Sequence, residues 1–218
     1  MRHFFSELEQ LEREIVEMGR LVKANVQRSV RCLTEGNADL ADQVVRQEAL
    51  INQAEVTIDD LATRLVSLNQ PVASDMRLLI AALKITTDLE RMGDLAVSTA
   101  QRALTLIDKP PLSVPIPAMS ELVQTMLEKC MTAFANKDAA LARAVLVSDD
   151  EVDFLRNRIF DELTQKMEED ASVVRTGLAY LFIARNLERI ADHATNIAED
   201  VVFLVKGIDV RHRRESQV

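Results

Sequence analysis

Apolar residues recur along this chain at intervals of three and four, the spacing that gives a helix one oily face. Leu8, Leu11, Ile15, Met18 and Val22 form one such stripe, and Leu61, Leu65 and Leu68 another. Strict alternation and β-branched clusters between turn residues, the marks of strands, are nearly absent. Breaks in the pattern fall at Gly36-Asn37, at Asn69-Gln-Pro-Val-Ala-Ser-Asp75, at Asn136-Lys-Asp138 and at Glu169-Asp-Ala-Ser172. In the second of these, Ser74 or Asp75 is placed to cap the helix that follows. Four of the five prolines crowd into Lys109-Pro-Pro-Leu-Ser-Val-Pro-Ile-Pro117, which is neither helix interior nor central strand. The pattern predicts an all-α protein of six long helices, three on each side of that segment. Long antiparallel helices joined by short turns pack as bundles. The expected organisation is a three-helix unit over 1–108, a Pro-rich linker over 109–117, a second three-helix unit over 118–207 and a polar, disordered tail over 208–218.

The two units are related to each other. Displaced by 98 residues, the segment 77–102 falls on 175–200 with ten of 26 positions identical, among them Leu89-Glu90-Arg91 on Leu187-Glu188-Arg189 and Asp94 on Asp192. Upstream, Ile58-Asp-Asp-Leu61 lines up with Phe160-Asp-Glu-Leu163 at a displacement of 102. Duplication of a three-helix unit accounts for both, with the length change in the turn at Pro71.

The chemistry worth following is acidic. A Glu and an Asp four residues apart share a helix face and repel each other, and most such pairs line a solvated surface. Here Leu-Glu-Arg-x-x-Asp occurs twice, in corresponding places. The same face carries Leu83, Thr86, Gly93 and Val97 in one copy and Ala184, Ala191 and Thr195 in the other, which suits an inner face. Folding each helix pair about its turn brings Glu55 level with Glu90, with Asp59 one turn away. In the second unit it sets Asn157 opposite Glu188 and Asp153 at the level of Asp192. Facing carboxylates away from water need protons or cations. Oxygen-only donor sets suit hard ions such as Mg²⁺, Mn²⁺ or Fe. Arg91 and Arg189 offer the alternative of ion pairing without metal. His193, next to Asp192 in the chain, faces elsewhere on the helix and is expected to be structural or exposed.

Composition narrows the function classes. A net charge of −9 argues against a nucleic-acid partner, since a phosphate backbone needs a basic stripe. Cys32 and Cys130 have no metal-ligand spacing and are expected to be buried thiols. The N-terminus turns charged within a few residues, so no signal peptide is expected, and no apolar run is long enough to span a bilayer. The expectation is a cytoplasmic protein. There is no nucleophile elbow, no phosphate-cradling Gly loop and no Cys/His cluster.

The acidic duplicated pattern, with Ser74-Asp-Met-Arg-Leu-Leu79, Asp88-Leu-Glu-Arg-Met-Gly-Asp94 and Asn186-Leu-Glu-Arg-Ile-Ala-Asp-His193 as its most specific parts, resembles the PhoU family of bacterial phosphate-signalling regulators. The resemblance implies two three-helix bundles side by side, often dimeric, with iron, zinc, manganese or magnesium at the repeated acidic motifs. Carried over, the ligand candidates are Glu90 and Asp94 with Glu55 and Asp59, then Glu188 and Asp192 with Asp161. Asn157 stands where an acid is expected, so the second site is weaker or borrows Asp153. The implied function is regulatory and non-enzymatic. It restrains a high-affinity phosphate ABC transporter and keeps the phosphate-starvation regulon off, through the transporter's ATPase subunit and a sensor histidine kinase. Membrane contact is then only through partners. The rival from another class is a metal-dependent hydrolase or redox enzyme using the same carboxylates.

Overall fold

The computed structural model describes residues 2–210. It has six α-helices: α1 (Arg2–Glu35), α2 (Ala38–Leu68), α3 (Ala73–Leu104), α4 (Ile116–Asn136), α5 (Ala139–Glu169) and α6 (Val174–Lys206), the last preceded by a short 3₁₀ turn at Ala171–Val173. Among the described residues there is no strand. Each break in the hydrophobic pattern becomes a tight connection. Gly36 takes a left-handed φ of 63° and Asn37 caps α2 by accepting from the Asp39 amide. Lys137 adopts the left-handed conformation (φ 54°), and Asp138 then caps α5 by accepting from the Ala140 and Leu141 amides. One expected cap is absent. α3 begins at Ala73 behind Val72, so Ser74 and Asp75 lie inside its first turn and no side chain caps it. The linker is also shifted from the expected 109–117: α3 ends at Leu104, and α4 starts at Ile116 and takes Pro117 into its first turn, where a missing N–H costs nothing.

α1, α2 and α3 pack on one another, as do α4, α5 and α6. The two sets then join through α3 against α6 and α1 against α4, leaving α2 and α5 at opposite sides. Leu8, Leu11, Ile15, Met18 and Val22 are all buried, as are Leu61 and Leu65, whereas Leu68 ends its helix 75% exposed. The apolar interior is one continuous cluster drawn from all six helices. Cys32 and Cys130 are free and buried in it. Of the expected tail, Val210 packs against that core, and 211–218 lie outside the described residues.

α3 and α6 run antiparallel across the centre, and polar contacts fix their register. Lys84 pairs with Asp200, and Asn186 Nδ2 donates to Ser98 Oγ at 3.1 Å and Thr99 Oγ1 at 3.3 Å. His193 Nδ1 lies 2.7 Å from Asp88 Oδ1, which also accepts from Asn196 at 3.3 Å. His193 is thus a structural link between the halves, as expected.

Burial confirms the duplication and corrects its register. At a displacement of 98, twelve of the fourteen buried positions of α3 fall on buried positions of α6. α2 and α5, both 31 residues long, are displaced by 101 at either end, with buried Ala41, Val44, Ile51, Ile58 and Ala62 meeting Ala142, Val145, Val152, Ile159 and Leu163. The displacement of 102 read from Ile58–Leu61 is therefore one residue too long. One residue on a helix is about 100° of rotation, enough to change which side chains face a neighbour.

Candidate functional site

The acidic residues collect along two half-buried seams, one between α2 and α3 and one between α5 and α6. In the first, Glu48 and Glu55 on α2 face Glu90 and Asp94 on α3. Glu48 lies deepest. Both its carboxylate oxygens are buried without a hydrogen-bond partner, and it fits because the residue opposite is Gly93, where a Cβ would stand 2.9 Å from Glu48 Oε2. Burial, then the charges of Asp94 and Glu90, push the Glu48 carboxyl up to about 7. Glu55 is raised by burial and then by Glu90, and Glu90 by burial and then by Asp94. Asp59 is exposed at the edge, raised by burial and then by its neighbour Asp60 rather than by α3. Arg91 closes over the seam from outside, 3.5 Å from Glu90 and 3.8 Å from Asp94, with 59% of its side chain exposed.

The second seam holds Asp149 and Asp153 on α5 against Glu188 and Asp192 on α6. Asp149 is pushed up to about 6 by burial and then by Asp192; Asp192 is itself raised, by burial and then by Asp153. Asp153 thus stands where the fold-back placed it. The other two expectations on α5 fail for the reason given by the register. Asp161 corresponds to Asp60, not Asp59, and is exposed, outside the set of charges acting on Glu188 or Asp192. Asn157 corresponds to exposed Val56 and is itself exposed, so it does not face Glu188. The position equivalent to Glu55 is Arg156, whose Nη2 lies 3.4 Å from Asp153 and 3.8 Å from Glu188.

Of the sequence candidates, Glu55, Glu90 and Asp94 come together, as do Glu188 and Asp192; Asp59 sits at a margin and Asp161 outside. Glu48, Asp149 and Arg156 were missed. Glu48 was readable, seven residues before Glu55 and hence on the same face, opposite a glycine. The partner Asp149 follows from Glu48 only once the displacement of 101 is known. His193 acts on a carboxyl of each seam, offsetting part of the rise that burial gives Glu90 and Asp192. Asp200, which aligns with Arg102 at the displacement of 98, is buried beside Lys84.

Among the described residues, no three His, Cys, Asp or Glu side chains converge closely enough to hold an ion as they stand. The first seam has the donor chemistry for a hard cation, all oxygen and with both Glu48 oxygens unpartnered. The second seam fits less well, because Arg156 stands on α5 where the first seam has the acid Glu55 and reaches across to Glu188.

The model of the PhoU domain matches this chain twice, over residues 15–103 and 116–201. A "phosphate-specific transport system accessory protein PhoU homolog" of Pseudomonas aeruginosa is 39% identical over 214 residues, spanning 97% of this chain and 88% of its own. The protein of the same description from Aquifex aeolicus is 37% identical and is covered 96% each way. The crystal structure of PhoU from Pseudomonas aeruginosa superimposes with a TM-score of 0.91 at 38% identity, covering 94% of this chain and 100% of that one. The phosphate transport system regulatory protein PhoU from Streptococcus pneumoniae gives 0.89 at 29% identity, covering 95% and 99%. With both repeats matched, near-complete coverage and the same six-helix fold, this chain belongs to the PhoU family.

Proposed function

We propose that this chain is a negative regulator of phosphate uptake that works by binding: an accessory protein that restrains a phosphate-specific ABC transporter and helps keep the phosphate-starvation regulon off. The observation that carries the reading is its end-to-end relation, both repeats included, to proteins described as phosphate-specific transport system accessory proteins. Its partners are the transporter's ATPase subunit and the cytoplasmic region of a sensor histidine kinase, and it acts as a homodimer in the cytoplasm. No helix among the described residues is long and apolar enough to cross a membrane, which agrees with membrane contact through partners alone.

In this reading the α2–α3 seam is a cation site held by Glu48, Glu55, Glu90 and Asp94, with Asp59 at its rim. A bound Mg, Mn, Fe or Zn ion would supply the positive charge that these carboxylates lack. Glu48 and Glu55 would hold it from α2, Glu90 and Asp94 from α3, so that its binding free energy also ties the two helices together. Arg91 shields the same carboxylates from outside.

A pull-down with the intact protein, from cells grown with ample phosphate, is the test. Recovery of the ATPase subunit or the sensor kinase is expected, together with derepression of a phosphate-starvation reporter on deletion. A reporter indifferent to deletion, with neither partner recovered, refutes the regulatory reading. The cation site is tested separately, by elemental analysis of protein purified without chelator and by melting with and without EDTA. No bound metal and an unchanged midpoint would end that part of the proposal.

A further inference from the structure

The two copies of the acidic face are not equivalent, and the difference lies in residues that point into the seams. At the displacement of 101 set by the buried positions of α2 and α5, Glu48 becomes Asp149, Glu55 becomes Arg156 and Asp59 becomes Phe160, while Asn52 becomes Asp153. Gly93, which makes room for the Glu48 carboxylate, becomes Ala191. The second seam therefore has a shorter acid at its deepest position, set against a filled position, and a cation built into the chain.

Charge bookkeeping sharpens the contrast. The first seam sets four acids (Glu48, Glu55, Glu90, Asp94) against Arg91, a balance of −3, with Asp59 exposed at its rim. The second sets four acids (Asp149, Asp153, Glu188, Asp192) against Arg156 and Arg189, a balance of −2. Placement matters as much as the count. Arg91 lies over the seam and leaves both Glu48 oxygens without a partner. Arg156 reaches across from α5 to α6, 3.4 Å from Asp153 and 3.8 Å from Glu188, with 39% of its side chain exposed. A guanidinium is always charged, and its planar fork of donors suits two carboxylates at once. Arg91 lies at similar distances from Glu90 and Asp94, but on their own helix, whereas Arg156 reaches Glu188 from the opposite helix and fills the position that holds the acid Glu55 in the first seam.

We infer that the duplicated face has divided its labour: cation binding is confined to the α2–α3 seam, and at the α5–α6 seam the Arg156 guanidinium takes the place of the ion. The inference rests on the proposed cation site for its first half only. It gives the protein one cation-responsive half and one whose helix pair is held closed whether or not cations are present.

The test uses the full chain and Mn²⁺ as the probe, with bound metal counted by equilibrium dialysis. Wild type is expected to bind Mn²⁺ in one class of site, lost in the Glu48→Gln/Glu90→Gln double variant and kept in Glu188→Gln. Arg156→Gln is expected to gain a second class, which Glu188→Gln then removes, whereas Arg156→Lys, which keeps the charge, gains none. Loss of about half of the bound Mn²⁺ in Glu188→Gln alone overturns the inference, and so does an Arg156→Gln protein that binds no more than wild type. If wild type binds no Mn²⁺ but Arg156→Gln does, the α2–α3 site is wrong and the role of Arg156 stands. Melting of Arg156→Gln in EDTA supplies a second reading: its midpoint should fall below wild type and recover on adding Mn²⁺. An unchanged midpoint in EDTA, or one that Mn²⁺ does not restore, counts against a stand-in cation.

Discussion

Replacing Glu48 with Gln should make the metal-free protein more stable above neutrality and leave it unchanged in mild acid. Glu48 is a carboxyl held up at about 7 by burial and by Asp94 and Glu90. In the unfolded chain the same group titrates near 4.3. Between those values the folded protein binds the extra proton, so stability falls as pH rises through that window. Taken at face value the difference is about 3–4 kcal/mol; screening at a half-buried seam reduces it to about 1–2 kcal/mol. Gln keeps the shape, cannot ionise, and offers an N–H to the neighbouring carboxylates. Urea unfolding in EDTA should then show coincident curves at about pH 4, below the unfolded value, and, at pH 8, a variant more stable by about 1–2 kcal/mol, which for a chain of this length is a few degrees in Tm. A variant less stable than wild type at pH 8, or a difference equal at both pH values, refutes the picture of a strained ionised Glu48. Adding Mn²⁺ at pH 8 should reverse the order, because only wild type keeps the full ligand set.

Three further outcomes follow from the same geometry. Gly93→Ala should displace the Glu48 carboxylate, whose Oε2 would stand 2.9 Å from the new Cβ, and so flatten the stability profile between pH 5 and 8 while lowering Mn²⁺ affinity; an unaltered profile would show that Glu48 does not lodge there. Lys84→Met takes the ammonium from Asp200, whose side chain is only 5% exposed, and should cost about 2 kcal/mol in urea unfolding at pH 7, recovered in part by a second change, Asp200→Asn. The buried Cys32 and Cys130 thiols, both raised by burial, should resist a thiol reagent in the native protein and react together on unfolding.

The six helices were legible because each break in the apolar period coincides with a residue that physically ends or starts a helix, such as Gly36 or Asp138. The α3 and α6 motifs were legible for a different reason: the repeat there is strong enough to fix its displacement at 98. Register on α2 and α5 was not, since four residues around Asp59 matched equally well one position too far along. Only the buried series from Ala41 to Ala62 chooses 101, and burial is a property of packing. That single residue moved Asp161 and Asn157 out of the seam and brought in Asp149 and Arg156. Glu48 belongs to no repeated Glu-x-x-x-Asp, so only its seven-residue spacing from Glu55 marks it in the sequence; the room it occupies comes from Gly93 on another helix.

The length difference between the repeats shows how the two displacements coexist. α2 reaches α3 through four residues, 69–72, whereas α5 reaches the 3₁₀ turn that opens α6 through Asp170 alone. Losing three residues in that turn converts a displacement of 101 on one helix into 98 on the next without turning either apolar face away from the core. The interior therefore tolerates the change, and twelve of fourteen buried positions of α3 keep their equivalents in α6. Polar positions were under no such constraint. Lys84 beside Asp200 corresponds, across the pseudo-symmetric α3–α6 pair, to Phe182 beside Arg102, an ion pair in one place and a cation over an aromatic ring at 4.7 Å in the other. Glu55 and Arg156 diverged in the same way within the seams. A duplicated fold of this kind keeps its apolar lattice because every helix shares one core, and the polar faces are where its two halves can come to do different things.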